Sequence, residues 1–229
     1  MIIGGIQKLS LIDFPGKVAT VVFTQGCDLL CPFCHNPELI PFRSDGAILE
    51  RDLFAHLSKN LKMIDGVCVT GGEPTAHPDL PDFISRLKDI GLSVKLDTNG
   101  SSPEMIELLI SRGLIDYIAM DIKASWENYP IVVRSPRAAD IAKSAKTSLG
   151  IIAGSTVDHE FRTTVFPGNH TVSDFISIAG YLPKGEKYFI QDMRTEKTLD
   201  NIVVLERLPA SSLVEIVLDS FPELRVDCR

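Results

Sequence analysis

Residues 18–36 read VATVVFTQGCDLLCPFCHN. The first seven form a nearly unbroken apolar and β-branched run, the composition of a strand buried on both faces of a parallel sheet. A polar turn follows, and then Cys27, Cys31 and Cys34 in the spacing C-x3-C-x2-C. These three thiolates make a soft-ligand loop at the C-terminal end of the strand. They suit an iron–sulfur cluster that needs one more ligand than the local sequence supplies. A structural zinc site is the alternative, with His35 as fourth ligand, although adjacent residues chelate one metal awkwardly.

A strand that hands polar residues to its C-terminal edge is the signature of α/β folds, and the rest of the chain repeats it. Strand-like runs recur at 67–70 (VCVT), 93–98 (SVKLDT), 117–122 (YIAMDI), 161–166 (FRTTVF) and 188–191 (YFIQ). Helical patterns lie between and after them at 49–63, 80–90, 103–112, 137–149, 171–181 and 209–220, and 224–228 (LRVDC) reads as a short last strand. The alternation predicts a parallel sheet with helices outside it. Around 103–112, Ser102 is a candidate cap, Pro103 suits the first turn and Gly113 ends the helix, as Gly91 ends 80–90. Six βα units fit an open doubly wound sheet or a partial barrel, and periodicity does not separate the two. The segments TQGC, TGGEP, DTNG and MDIK all fall at C-terminal ends of different strands, the edge where parallel α/β folds bind ligands.

The 229 residues, 45% of them hydrophobic, suit one domain spanning 1–229 with a core that needs no disulfide to fold. The net charge of −7, with no Lys/Arg block, disfavours nucleic-acid partners. Five cysteines, three of them clustered, do not make a secreted disulfide framework. No signal-peptide pattern and no bilayer-length apolar run is present, so neither a membrane nor secretion is expected and the cytoplasm is the expected location.

Further motifs carry candidate site residues. In GGEP, Gly71 and Gly72 let backbone approach a ligand and Glu73 sets a carboxylate at a strand end; alone, the motif is also an ordinary turn. In DTNG, Asp97 and Thr98 offer oxygen ligands, or simply a β-turn. In MDIK, Asp121 and Lys123 are two apart and so share one side of an extended strand, as a site pair or an internal ion pair. Arg162, in HEFRTTVFPG, reads equally as a cation aimed at an anionic ligand or as a solvent-facing strand arginine. Gln191, an amide at a strand end, has the same standing. His56, His77 and His170 read as surface residues, Cys68 as a small core hydrophobe and Cys228 as a free thiol.

The loop C-x3-C-x-aromatic-C, with Phe33 as the aromatic, followed in order by GGEP, DTNG and MDIK, resembles the radical S-adenosylmethionine (SAM) enzymes. The resemblance implies a partial (β/α)6 TIM-like barrel and a [4Fe-4S] cluster on Cys27, Cys31 and Cys34. It implies SAM on the fourth iron, and one-electron cleavage of the sulfur–C5′ bond to a 5′-deoxyadenosyl radical. It places Phe33 near the adenine, where the residues alone allow an ordinary core aromatic. It places Gly71, Gly72 and Glu73 at the SAM amino group, with the backbone of His35 near the adenine. Similar DTNG and D-[IL]-K segments in glycyl-radical-enzyme activases imply Asp97, Thr98, Asp121 and Lys123 around SAM, with a monovalent cation held by the aspartates. Arg162 and Gln191 would face the same ligand.

The likeness runs from IDFPGKVATVVFTQGC through HEFRTTV. It is greatest to the anaerobic ribonucleoside-triphosphate reductase activating proteins and next to pyruvate formate-lyase activase. It implies a glycyl-radical enzyme as protein substrate. Only Cys68 and Cys228 remain for any second cluster, so electrons are expected from an external flavodoxin or ferredoxin type of donor. Two departures bear on the substrate: Asp-Leu-Leu after Cys27, and the segment 124–136, ASWENYPIVVRSP. A small-molecule substrate, or a different glycyl-radical enzyme, is the alternative. A non-catalytic metal or electron carrier would leave GGEP, DTNG and the Asp121/Lys123 pair without a task.

Overall fold

In the computed structural model, residues 1–43, 45–194, 196–200, 202 and 208–229 are described. The chain runs β1 (Ile3–Ser10), β2 (Ala19–Thr24), α1 (Glu50–Asn60), β3 (Gly66–Gly71), α2 (Leu80–Asp89), β4 (Ser93–Thr98) and α3 (Pro103–Ser111). It continues β5 (Tyr117–Asp121), α4 (Tyr129–Val133), α5 (Ala138–Ala153), β6 (Asp158–Thr164), α6 (Val172–Ala179), β7 (Lys187–Gln191), α7 (Ala210–Ser220) and β8 (Arg225–Cys228). One eight-stranded sheet has its strands in chain order. β1 pairs antiparallel with β2, and every later pairing is parallel. β1 and β8 form the two edges and do not pair with each other, so the sheet is an open, partial barrel. The strand–helix units from β2 to α7 are the six expected, and β8 is the anticipated last strand.

Alternation along the strands divides the side chains between two environments. Val67, Val69, Val94, Leu96, Ile118, Met120, Phe161 and Ile190 point to the helices and join one core with Leu53 and Leu57 of α1, Phe83, Ile84 and Leu87 of α2, Ile106 and Leu109 of α3, and Leu213 of α7. Each such side chain contributes on the order of 1.5–3 kcal/mol by leaving water. The other alternation, Cys68, Lys95, Asp97, Asp121 and Arg162, faces the hollow of the curl. The stabilising core therefore lies between sheet and helices, and the hollow is released for polar groups.

Several local expectations change. β1 carries little strand signal of its own, because Gly4 and Gly5 and the adjacent Gln7 and Lys8 break any period of two; pairing with β2 supplies what propensity lacks. β6 starts three residues earlier and ends two earlier than 161–166, at Asp158–Thr164. Ser102 occupies the N-cap of α3 but its side chain makes no capping bond; Pro103 starts that helix. In α6 the cap is complete: Thr171 Oγ1 donates to Asp174 Oδ2 at 2.9 Å, and the Thr171 N–H to the same oxygen at 2.8 Å. His77, expected at the surface, is buried beside the ring of Phe42.

Candidate active site

A cavity of about 260 Å³ opens at the C-terminal ends of β2 to β7. Every site residue named from the sequence lines it: the three cysteines and Phe33 after β2, Gly71 closing β3 with Gly72 and Glu73 after it, Asp97 and Thr98 closing β4, Asp121 and Lys123 at β5, Arg162 on β6 and Gln191 on β7.

The cysteine loop is tied to its neighbours by backbone. The Gly26 and Cys27 N–H groups donate to Leu39 O (2.7 Å) and Ile40 O (3.0 Å). Leu30 N–H donates to Val133 O at 3.1 Å, so α4, in the segment that departs from the resembling proteins, holds the loop. Asp200 N–H donates to Pro32 O at 3.1 Å. The GGEP turn lies directly beneath. Gly72 N–H donates to Thr24 O at 2.8 Å and Glu73 N–H to Gly26 O at 2.7 Å. Gly71 has φ +113°, and a Cβ on Gly72 would stand 2.1 Å from Gly26 O. No side chain fits between the two backbones there.

Glu73 is 1% exposed. Its Oε1 accepts from Thr75 N (3.0 Å), Thr75 Oγ1 (2.6 Å) and Thr98 Oγ1 (2.7 Å), and its Oε2 accepts from Asn99 N at 2.7 Å. A carboxylate has about four lone-pair sites over two oxygens. Oε1 is crowded, and Oε2 keeps capacity for a cationic donor from the cavity. Burial pushes the Glu73 carboxyl up to about 7, against the pull of these hydrogen bonds.

Across the cavity runs a ladder of alternating charge. Lys95 bonds Asp97 Oδ1. Arg162 Nη1 reaches Asp97 Oδ2 at 3.4 Å and its Nε donates to Asp121 Oδ1 at 2.8 Å. Lys123 Nζ donates to Asp121 Oδ2 at 3.0 Å. The Arg162 side chain is 12% exposed, so the solvent-facing reading of that arginine fails. Burial alone would raise Asp121, but Arg162 and then Lys123 hold it well below the usual carboxylate range. Asp97 is lowered likewise, by Arg162 and Lys95 against burial. Phe33 is 4% exposed and packs on Phe166 with ring centroids 5.0 Å apart. It is at once a core aromatic and a wall of the cavity.

The donor set favours a cluster over one ion. Among the described residues, no three His, Cys, Asp or Glu side chains are placed to hold a single metal ion. One tetrahedral ion needs its four ligands around a single point, whereas a multi-iron core takes thiolates from separated positions. Burial raises the Cys27 thiol and pushes that of Cys31 up to about 12, with Lys123 partly offsetting the latter. Thiols in such a place ionise when a cationic core arrives, and loading releases their protons.

Asn99 was missed. Read only as the turn residue of DTNG, it supplies the N–H to Glu73, donates from Nδ2 to Asp28 Oδ1 at 3.2 Å, and stands 4.0 Å from Cys27 Sγ. Its place inside a motif already singled out was the available signal. Thr70, Asn36 and Thr164, each inside a stretch already singled out, also line the cavity.

Comparison with known proteins agrees with this arrangement. Residues 21–171 match the profile of the Radical SAM superfamily. A Methanocaldococcus jannaschii protein named as a candidate glycyl-radical enzyme activating enzyme is 33% identical over 201 residues, covering 87% of this chain and 82% of that one. The pyruvate formate-lyase-activating enzyme of Clostridium pasteurianum is 32% identical over 126 residues, covering 53% of this chain and 52% of that enzyme, so the match spans about half of its length. Among solved structures, a radical SAM methyltransferase from Sphaerobacter thermophilus superposes with a TM-score of 0.71 at 14% identity, covering 96% of this chain and 68% of that one, a likeness of fold. The chain thus belongs to the radical SAM superfamily of enzymes, a membership that implies a [4Fe-4S] cluster and S-adenosylmethionine as the groups its cavity takes.

Proposed function

We propose that this enzyme is an activase: it removes a Cα hydrogen from one glycine of a partner protein and leaves a glycyl radical there. The partner best matched by the sequence resemblance is an anaerobic ribonucleoside-triphosphate reductase. When bound, the cluster and SAM supply a one-electron cleavage of a sulfur–carbon bond and hence a carbon radical able to abstract hydrogen. Cys27, Cys31 and Cys34 would hold the cluster. Glu73 Oε2 would take the SAM ammonium, with Gly71 and Gly72 letting backbone come close. Arg162 and Lys123 offer cationic faces to its carboxylate, Phe33 packs its purine, and Asp97, Thr98 and Gln191 supply polar edges. A monovalent cation at Asp97 and Asp121 would have to displace Arg162, which already bridges them, and the reading does not need one.

The observation that carries the reading is the open sheet. The cavity sits at strand ends of a curl that β1 and β8 leave unclosed, an architecture that suits a polypeptide loop as substrate. The kinship with a candidate activating enzyme over 82% of that protein's length adds support. Electrons would come from a flavodoxin or ferredoxin type of donor in the cytoplasm. No helix among the described residues is long and apolar enough to cross a membrane.

The test is anaerobic reconstitution with iron, sulfide, reductant and SAM. The expected products are methionine and 5′-deoxyadenosine, and a doublet glycyl signal by electron paramagnetic resonance when the reductase is added. An intact cluster and bound SAM with no deoxyadenosine would overturn the activity. Deoxyadenosine without any protein radical, but with turnover of a small molecule, would reassign the substrate.

A further inference from the structure

Asp97 and Asp121 share Arg162, but a third carboxylate competes for it. Glu160 lies two residues earlier on β6, on the same face. It is 1% exposed, and its Oε1 is 4.0 Å from Arg162 Nη1. Arg229 satisfies that carboxylate. Its Nη1 donates to Glu160 Oε1 at 2.7 Å and its Nη2 to Oε2 at 2.9 Å, a two-pronged fork. The Tyr117 hydroxyl adds a bond to Oε2 at 2.8 Å. Arg229 is itself placed by β7: its guanidinium lies 3.7 Å from the Phe189 ring centroid, and its N–H donates to Ile190 O at 3.2 Å.

A buried carboxylate stripped of its cation is strongly unfavourable and recruits whatever positive charge it can reach. Here the nearest such charge is Arg162, at 4.0 Å; Lys187 and Lys95 stand farther back, against the Tyr117 ring. Turning toward Glu160 would lengthen the Arg162–Asp97 contact, already at 3.4 Å, and draw the guanidinium down from the cavity wall. We propose that Arg229 is a positioning residue: by satisfying Glu160 it leaves Arg162 to bridge Asp97 and Asp121, and so keeps the cavity in its ligand-accepting form. The inference rests on the reading of SAM as ligand only for its binding probe.

The test uses cluster-reconstituted protein and SAM binding by equilibrium dialysis, together with a crystal structure of the Arg229→Ala variant. Arg229→Ala weakens SAM binding roughly tenfold, the scale of one lost charge-assisted hydrogen bond. Adding Glu160→Gln removes the competing charge and restores binding to within about twofold of Glu160→Gln alone, the resolution of additivity between sites. A role limited to stability leaves the double variant as weak as Arg229→Ala. Arg229→Lys keeps the charge but loses the fork; it weakens binding less, and Glu160→Gln abolishes that weakening too. In the Arg229→Ala crystal structure, Arg162 Nη1 is hydrogen-bonded to Glu160 and withdrawn from Asp97. Undiminished binding by Arg229→Ala, or a double variant no better than the single, overturns the proposal. If wild-type protein fails to bind SAM, the ligand reading falls, and an unmoved Arg162 in the crystal structure overturns this proposal independently.

Discussion

Arg162 and Asp121 stand directly opposite one another across the β5–β6 pair, and the Arg162 Nε donates to Asp121 Oδ1 at 2.8 Å. The same guanidinium reaches Asp97 on β4, so one side chain ties three strands at the cavity wall. Arg162→Ala would leave two half-buried carboxylates with a single lysine each. The expected loss is about 1.5–3 kcal/mol, the scale of a lost hydrogen bond to a charged group, read from urea unfolding at pH 7. Both aspartates are depressed in the folded state. Their stabilisation is therefore complete above the ordinary carboxyl range and is lost as pH falls through the folded values. Acid unfolding of the variant should begin at higher pH than in the wild type. Arg162→Lys, which cannot bridge, should recover only part of the loss.

Glu73 makes the opposite prediction. Its carboxyl is raised from 4.5 to about 7, chiefly by burial. Between those values the folded protein holds a proton that the unfolded chain has released, so stability falls as pH rises through that window. Relative to Glu73→Gln, wild-type protein should lose stability from pH 5 to 7 and level off above it. The variant should show a flatter profile, offset downward by about 1–3 kcal/mol because an amide NH₂ replaces an acceptor among four donors. SAM binding should run the other way in the wild type, strengthening as Glu73 ionises near pH 7, and should be flat and weaker in the variant. Thermal melts and binding isotherms at matched ionic strength check both.

Single replacements of Cys27, Cys31 or Cys34 by alanine should each abolish cluster assembly, read as iron and sulfide content after anaerobic reconstitution. Cys68→Ala should leave that content unchanged. Cys68 is fully buried, faces the hollow beside Lys95 (Sγ–Nζ 3.9 Å) and lies outside the cavity lining. Its loss removes one buried sulfur and should cost about 1 kcal/mol of stability.

The strand–helix rhythm and the motifs at its edges were legible because both are local. VATVVFT and VCVT announce buried parallel strands, and GGEP, DTNG and MDIK straddle the C-terminal ends of such strands. β1 was not legible, since its place depends on pairing with β2 more than on its own residues. Arg162 was ambiguous for a related reason: on an isolated strand nothing says which face is the hollow, and only the curl of the sheet buries it between Asp97 and Asp121. Glu160 and Arg229, far apart in sequence, meet only because β7 and β8 bring residue 229 back beside β6. His77 was misplaced because burial against Phe42 is a long-range contact that a lone histidine does not advertise.

Gly72 offers the sharpest test of why the GGEP turn needs its glycines. A Cβ there would come within 2.1 Å of Gly26 O, the acceptor of the Glu73 N–H. The obstacle is backbone, so no rotamer change relieves it, and the β2 and β3 ends must separate. Gly72→Ala should therefore break the Glu73–Gly26 bond, shift the carboxylate from its place over the cavity, and loosen the loop that carries Cys27. The expected stability loss is about 1–3 kcal/mol, the range for overpacking in a dense interior. SAM affinity and iron content should fall together, because one backbone contact serves both the carboxylate and the thiol loop. Gly91→Ala is the control: its φ of +87° carries strain, but a Cβ there meets nothing within 4 Å. That variant should lose about 1 kcal/mol in stability and keep its iron and its affinity for SAM. Equal effects of the two substitutions on iron content would mean that strain in the backbone, and not the close approach of Gly72 to Gly26, governs the loop.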